Sequence, residues 1–391
     1  MIDSVLYAYM DEQLRKTPTA FKRYMYSVIP WENRLNGIVG ARGIGKSTMI
    51  KQYIIEHRRE YNFLYVSADH TYFMTHTLAD LADDFVKEGG THLYIDEIHK
   101  YKGWSRELKQ IYDVHSDLRI VFTGSSILDI ESGEADLSRR ALMFQMEGLS
   151  FRESLALFHG IDTPVYTVEE ILANKAEVKG VEHPLPLFRE YLRTGYYPFS
   201  KEIGFERRIQ QVVAQTIEAD IAQYADLKAS TARKLKIMLA IVASLAPYKP
   251  SAEKLAVEIG VSKNNVPDYL VYLEKTGLIG QLRDDTGGLR GIGKVEKVYI
   301  GNPNLMNVLA GGNPDLGNLR ETFFYNQTRV MNDVVASRDS DFVIGGNTFE
   351  VGGKKKGKKQ IEGIPGGIIV KDEIEYGHGI EVPLWAFGLN Y

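Results

Sequence analysis

The sequence predicts an α/β fold in the N-terminal part of the chain, followed by a helical segment and two smaller units. Three observations lead to this prediction. Five short apolar runs alternate with helical patterns up to about residue 145, as strands and helices do in α/β domains. A glycine-rich segment joins the first run to the next helix. A later run ends in two neighbouring acidic residues.

The predicted elements follow one another along the chain. Residues 1–30 are predicted to be helical and to pack against the core, with a break at Thr17 and Pro18. The five predicted strands are residues 35–39, residues 63–66, the apolar start of 92–99 through Asp96 and Glu97, the apolar start of 118–126, and residues 141–145. The predicted helices between them are residues 47–58, 71–87 and 104–115.

The glycine-rich segment fits the phosphate-binding pattern G-x-x-x-x-G-K-[ST]. Gly43 and Gly45 let the backbone turn its N–H groups toward phosphate oxygens. Lys46 brings an ammonium to the β- and γ-phosphates, and Ser47 offers a hydroxyl to Mg²⁺. A chance turn is the alternative, and the flanking strand and helix argue against it. The predicted ATP-binding residues are Gly40, Ala41, Arg42, Gly43, Ile44, Gly45, Lys46, Ser47 and Thr48.

The third predicted strand ends in Asp96 and Glu97. An acidic pair at the carboxyl end of an apolar strand is what a magnesium-dependent ATPase needs. Asp96 can hold the metal opposite Ser47, directly or through water, and Glu97 can act as the general base toward the attacking water. The alternative is that such a pair is a solvated helix start without a catalytic role.

Two further stretches contain candidate catalytic residues. The fourth predicted strand leads into small polar residues, of which Ser125 is the first choice to touch the γ-phosphate and the water, ahead of Ser126 and Thr123. A simple turn would look similar. Arg139 and Arg140 precede the fifth strand and could supply charge to a γ-phosphate in the same subunit or in a neighbour. A solvated surface pair accounts for them equally well.

Taken together, these residues resemble the AAA+ superfamily, and more closely a prokaryotic family of AAA+ ATPases that carry a conserved C-terminal domain of unknown function. The resemblance implies a P-loop NTPase core of the AAA+/ASCE type, with five parallel strands and helices on both faces. It also implies a C-terminal region related to the PD-(D/E)XK nuclease fold. The stretches that carry it are residues 40–48, 94–100, Trp104, 122–126, 137–140, 149–153 and 195–198.

The sequence predicts three regions before residue 299. They are an ATPase domain at 1–160, a helical connecting segment at 161–235 and a winged-helix domain at 236–298. Between residues 249 and 297, eight basic residues stand against seven acidic ones, a balance unlike that of a phosphate-binding face. Pro267 would shorten or kink the start of the presumed recognition helix. Contact with DNA and a role in packing or partner binding are both left open.

The sequence of residues 299–391 predicts a small α+β nuclease-like domain. A predicted helix at 319–335 carries Glu321, and a predicted hairpin carries Asp341 and Glu350, which makes these three carboxylates a candidate second metal site. In the nuclease fold two carboxylates hold Mg²⁺, and a lysine two positions after the second orients water. Here that position is Gly352. An inactive interaction domain is therefore favoured over an active nuclease.

Five lysines follow this glycine, at positions 354, 355, 356, 358 and 359. One of them could reach back to the carboxylates. The group could also grip a phosphate backbone or form a solvated loop.

Composition narrows the function classes. The chain has 391 residues and a net charge of −4, which argues against a general nucleic-acid coat protein. It has no cysteine, which excludes disulfides and thiolate metal sites. No apolar run approaches the roughly 20 residues of a membrane span. The first residues lack the basic start of a signal peptide. We expect a cytoplasmic protein with no membrane partner.

The leading hypothesis is a Mg²⁺-dependent ATPase that couples ATP binding and hydrolysis to the C-terminal units. ATP and ADP are the expected ligands, DNA or a protein the expected partner, and a homo-oligomer a candidate assembly. The alternative is a slow, nucleotide-controlled binding switch with little turnover. Glu97 favours the enzyme, because a pure switch does not need a strong general base.

Overall fold

The structure, a computed structural model, describes residues 2–124, 137–222, 225, 228–245, 247, 249, 251–285 and 293–391. The chain forms two compact units, Met1–Gly148 and Leu149–Tyr391. Among the residues described, no helix is both long enough and apolar enough to cross a membrane.

Strands and helices alternate through the first unit. Its strands are β1 (Leu35–Val39), β2 (Phe63–Ser67), β3 (His92–Asp96), β4 (Arg119–Gly124) and β5 (Leu142–Gln145). Its α-helices are α1 (Ser4–Arg15), α2 (Lys46–His57), α3 (Leu78–Lys87) and α4 (Trp104–Val114). The predicted alternation is confirmed.

The five strands form one sheet in the order β2-β3-β4-β1-β5. Every neighbouring pair is parallel, which confirms the predicted sheet. Strands β1, β2 and β3 are buried along their whole length, as expected of a parallel sheet covered on both faces. Because β4 lies between β1 and β3, its carboxyl end separates the loop after β1 from the acidic pair after β3.

Two predicted helical stretches are shorter in the structure. The stretch 71–87 divides into a 3-10 turn, Thr71–Met74, and α3. The side chain of His70 caps the first piece and that of Thr77 caps the second, so the helix restarts instead of continuing. In residues 1–30 the α-helix ends at Arg15, and only the 3-10 turn Tyr24–Ser27 follows.

The second unit begins with helices. They are α5 (Phe151–His159), α6 (Val168–Leu172), α7 (Leu185–Thr194), α8 (Phe205–Gln215) with a π-helical continuation (Thr216–Ile221), α9 (Ala229–Leu245), α10 (Ala252–Ile259) and α11 (Val266–Lys275). An antiparallel pair follows, β6 (Ile279–Arg283) and β7 (Val295–Ile300). Pro267 lies in the first turn of α11, where its missing N–H is not needed, and so the helix starts at Val266 without a break.

The last part of the chain contains two helices, a mixed five-stranded sheet and a final 3-10 helix. Its elements are α12 (Pro303–Leu309), α13 (Leu316–Thr328), β8 (Val334–Ala336), β9 (Phe342–Ile344), β10 (Asn347–Gly352), β11 (Gly367–Lys371), β12 (Glu381–Pro383) and a 3-10 helix (Leu384–Leu389). The strand order is β12-β11-β10-β9-β8. Strands β10, β11 and β12 run parallel, and β8 and β9 pair antiparallel.

Helix α13 packs on this sheet through aromatic side chains. Phe324 lies 5.0 Å from Phe342, 5.4 Å from Phe349 and 4.8 Å from Phe387 between ring centroids. The predicted β9–β10 hairpin is confirmed, and its turn uses Gly345 and Gly346 at positive φ. The predicted helix at 319–335 is wrong at its end, because α13 stops at Thr328 and the chain enters β8.

Candidate functional site

The loop between β1 and α2 has the conformation that its glycines permit. Gly40, Gly43 and Gly45 have φ values of 153°, 77° and 101°. At Gly40 a Cβ would lie 2.3 Å from the backbone oxygen of Met146, so no side chain fits there. The loop is therefore set both by its own backbone and by the chain that follows β5.

Lys46 begins α2 and is buried. Its ammonium donates hydrogen bonds of 2.8 Å to the carbonyl oxygens of Gly40 and Ala41. Gly45 precedes it and has no side chain that could cap the first helical N–H groups. A helix N-terminus without a side-chain cap, next to a buried ammonium, suits an anion.

Arg23 ties this loop to the chain after β5. It is 5% exposed, and its guanidinium donates to the carbonyl oxygen of Ile44 inside the loop. The same group donates to the carbonyl oxygens of Glu147 and Gly148, at 2.7 and 2.8 Å. A planar guanidinium with several donors can hold three carbonyl groups at once, and a lysine could not do so in the same geometry.

Asp96, at the end of β3, is held from both neighbouring strands. Tyr65 of β2 donates a hydrogen bond of 2.7 Å to Oδ2. Thr123 of β4 donates to Oδ1. Burial raises the pKa of Tyr65, and the charge of Asp96 raises it further, so the phenol keeps its proton and remains a donor.

Glu97 has a left-handed backbone, with φ 52° and ψ 41°, which is uncommon for a residue with a side chain. Its N–H donates to the hydroxyl of Thr123 at 3.2 Å, so this one hydroxyl bonds both acidic residues. Its Oε2 lies 3.9 Å from Nη1 of Arg42 and 3.5 Å from Nε2 of His99. The phosphate-loop segment and the acidic pair are therefore joined side chain to side chain.

The other predicted catalytic residues are Ser125, Arg139 and Arg140. Ser125 and Ser126 lie outside the described residues. Arg140 forms a two-point ion pair with Asp113 of α4, at 2.9 and 3.0 Å. Arg139 is exposed. Arg140 therefore forms its ion pair with a carboxylate of its own unit.

Sequence reasoning missed Arg23, Tyr65 and His99. Arg23 and Tyr65 lie in no recognisable motif, because their partners are distant in sequence: Tyr65 is 31 residues from Asp96, and Arg23 is 124 residues from Glu147. His99 lies within the stretch 94–100, only two residues after Glu97, but no role was predicted for it. Thr123 is predicted from the sequence as a third choice for contact with the phosphate, whereas in the structure its hydroxyl bonds Asp96 and Glu97. A weak signal existed for Tyr65, since the hydroxyl of a buried tyrosine usually has a hydrogen-bond partner.

The residues present fit ATP with Mg²⁺. Lys46 and the uncapped start of α2 provide positive charge and N–H donors for phosphates. The hydroxyl of Ser47 and the carboxylate of Asp96 are the hard oxygen donors that Mg²⁺ prefers. Each Asp96 oxygen accepts one hydroxyl and retains a second lone pair, which suits contact with the metal's water ligands.

Comparison with known families agrees with this site. Residues 32–155 match the family model described as "AAA domain". The match supports ATP binding by this part of the chain, and the five-stranded parallel sheet with helices agrees with a P-loop NTPase fold. Residues 185–316 match a second model, "Domain of unknown function (DUF8612)".

Solved structures that match this chain at low identity include a Walker-type ATPase and a DnaA protein. The Walker-type ATPase PABY2304 of Pyrococcus abyssi is 13% identical, with 76% of this chain and 99% of that chain covered and a TM-score of 0.45. AMPPCP-bound DnaA from Aquifex aeolicus is 14% identical, with 70% and 89% covered and a TM-score of 0.28. No curated protein sequence matches the chain.

The three C-terminal carboxylates are paired with lysines. Lys297 of β7 lies between Glu321 and Asp341, at 3.1 and 2.8 Å. Tyr299 also donates to Glu321, at 2.8 Å. Burial raises the pKa of Glu321, and Asp341 raises it further, whereas Lys297 lowers it. An ammonium thus occupies the space between these two carboxylates.

Glu350 is separately engaged. It is 2% exposed, accepts a hydrogen bond from Ser340, and forms an ion pair with Lys356. Among the described residues, no group of three or more His, Cys, Asp or Glu side chains is placed to hold a metal ion. The structure does not bring Glu321, Asp341 and Glu350 together as a metal site.

Proposed function

We propose that this protein is a Mg²⁺-dependent ATPase that passes its nucleotide state to a nucleic-acid- or protein-binding C-terminal unit. The single observation that carries the proposal is the hydrogen-bonded network of Tyr65, Asp96, Thr123 and Glu97. It holds Asp96, the candidate metal ligand, beside Glu97, the candidate base, and Arg42 connects Glu97 to the phosphate loop.

The roles follow from chemistry and position. Lys46 would bind the β- and γ-phosphates, and Ser47 and Asp96 would hold Mg²⁺, which would neutralise phosphate charge. Glu97 accepts a proton from the attacking water. Thr123 orients both acidic residues through one hydroxyl. The winged-helix and nuclease-like assignments of 236–298 and 299–391 belong to this proposal as the binding unit.

One observation favours the slow switch as a second candidate. Arg42 lies 3.9 Å from the Glu97 carboxylate. A guanidinium beside a carboxylate competes with the attacking water for the carboxylate oxygens. If Arg42 stays there when ATP is bound, turnover is slow, and the nucleotide acts mainly by being bound.

The Glu97→Gln variant separates the two candidates. The amide keeps the size of the side chain and cannot accept the proton. For an enzyme, we expect ATP binding by calorimetry to be retained and phosphate release to fall by about 10²-fold or more. Lys46→Ala is the binding control and should lose tight ATP binding. Equal, very slow phosphate release by wild type and Glu97→Gln would contradict the enzyme and support the switch.

A further inference from the structure

The loop between β10 and β11 concentrates positive charge in an otherwise acidic chain. Residues 353–364 contain five lysines and one glutamate, whereas the whole protein has a net charge of −4. Lys354, Lys355, Lys358 and Lys359 are exposed. None of these four lysines forms an ion pair with any residue that the structure describes. We call residues 353–364 the lysine loop.

The fifth lysine has a different role. Lys356 is directed inward, where it forms an ion pair with the buried Glu350. Its side chain lies across Gly352, where a Cβ would come within 2.7 Å of the Lys356 Cγ and Cδ atoms. The glycine at position 352 therefore leaves the space through which Lys356 reaches the carboxylate. This pair fixes one end of the lysine loop to the sheet.

Packing and backbone hydrogen bonds hold the rest of the lysine loop. Ile361 is 3% exposed and anchors its second half in the core. Backbone bonds from Ile361 to Lys358 and from Ile364 to Ile361, at 3.0 and 3.1 Å, close successive turns. The four exposed lysines are thus presented on a held backbone, which lowers the entropy cost of binding a partner.

We propose that the lysine loop binds the phosphate backbone of nucleic acid without sequence preference. Phosphate contacts by lysine are sufficient for non-specific binding to nucleic acid. Protein interfaces additionally need a buried apolar or aromatic centre. The only large apolar side chains in the lysine loop are Ile361, which is buried, and Ile364, which is half-buried. It has no arginine or aromatic side chain for reading bases.

This inference deepens the proposed function, since it names nucleic acid as the partner of the C-terminal unit. Residues 249–297 have nearly equal numbers of basic and acidic residues, which argues against that segment as the main phosphate-binding face. The binding face lies instead on the lysine loop.

The test uses the full-length protein and fluorescently labelled DNA, single-stranded and duplex, of mixed sequence. The variant replaces Lys354, Lys355, Lys358 and Lys359 by glutamine. The matched control removes the same charge from four exposed lysines elsewhere in the second unit: Lys175, Lys179, Lys201 and Lys228. Anisotropy titrations from about 50 to about 200 mM salt give the affinity and its salt slope.

We expect the lysine-loop variant to lose at least about tenfold in affinity at low salt, with a salt slope shallower by about 0.7 per lost contact on single strands. The control variant should bind within about twofold of wild type. Equal losses in both variants, or no loss in the lysine-loop variant, would overturn the proposal. Polyglutamate that displaces DNA at equal charge concentration would also overturn it, in favour of an acidic protein partner.

These experiments distinguish failure of the proposed function from failure of the lysine-loop proposal. Lys46→Ala should lose ATP binding and still bind DNA, because Lys46 belongs to the first unit and the lysine loop to the second. The lysine-loop variant should hydrolyse ATP at the wild-type rate without DNA. If DNA binding is lost only in the lysine-loop variant and ATP has no effect on DNA affinity, the binding surface stands and the coupling does not.

Discussion

The phenol of Tyr65 donates a hydrogen bond of 2.7 Å to Oδ2 of Asp96, across the pair of strands β2 and β3. Its register partner on β3 is Tyr94, whose hydroxyl is buried and has no hydrogen-bond partner in the part of the chain that the structure describes. Two tyrosines opposite each other on the same sheet thus differ in one respect: only one of them holds the acidic site.

This difference gives a matched pair of variants. Tyr65→Phe should lower the ATP turnover rate by about tenfold, the scale of one hydrogen bond to a charged group. It should also raise the Mg²⁺ concentration needed for half-maximal turnover, because Asp96 becomes less well oriented. Tyr94→Phe should leave both quantities unchanged. Identical behaviour of the two variants would show that Tyr65 only fills space.

Arg23 is expected to stabilise the phosphate loop. Arg23→Lys keeps the charge, but one ammonium cannot hold carbonyl groups at residues 44, 147 and 148 in the same way. We expect a loss of about 2–4 kcal/mol in the free energy of unfolding and weaker ATP binding. Urea unfolding and calorimetry measure the two effects. The exposed Arg59→Lys is the control, and equal stability of both variants would refute this role.

Arg139 and Arg140 are expected to differ in their effect on turnover. Arg140 is occupied by Asp113, so Arg140→Ala should hydrolyse ATP at nearly the wild-type rate. Arg139 is exposed, and we predict that it acts on the ATP of a neighbouring subunit. Arg139→Ala should then be inactive alone and regain phosphate release when mixed with inactive Lys46→Ala. A co-assembled mixture without recovery would exclude action in a neighbour.

His92 is expected to make the first unit sensitive to acid. Burial lowers its pKa to about 4, with the charge of Arg119 acting in the same direction and that of Glu32 opposing. The unfolded chain takes up this proton near pH 6.5 and the native state does not until about pH 4. As the pH decreases from about 6.5 to about 4, the free energy of unfolding should therefore decrease. Above about pH 6.5 it should not depend on the titration of His92.

The test is the melting temperature as a function of pH. His92→Phe keeps an aromatic ring beside Tyr61 and Phe63 and removes the titrating group. Its melting temperature should fall less than that of wild type between about pH 6.5 and about pH 4. Replacement of the exposed His183 by asparagine should not change the profile. Parallel curves for wild type and His92→Phe would contradict the assignment.

The sequence by itself determined the local features of this protein. The strands of the first unit, the phosphate loop and the β9–β10 hairpin were predictable because each depends on neighbouring residues: apolar runs, glycines at positive φ, and a helix that starts at Lys46. The ends of elements were less predictable. His70 and Thr77 divide one predicted helix, because capping by a side chain competes locally with helix continuation.

The tertiary structure alone decided which side chains meet. The strand order places β4 between β1 and β3, which brings Thr123 to Asp96 and Glu97. It also decided that Lys297 separates two carboxylates of a candidate metal site, and that Lys356 reaches Glu350 over Gly352. These contacts join residues far apart in sequence, whose distance depends on the packing of whole elements and leaves no periodic pattern to read.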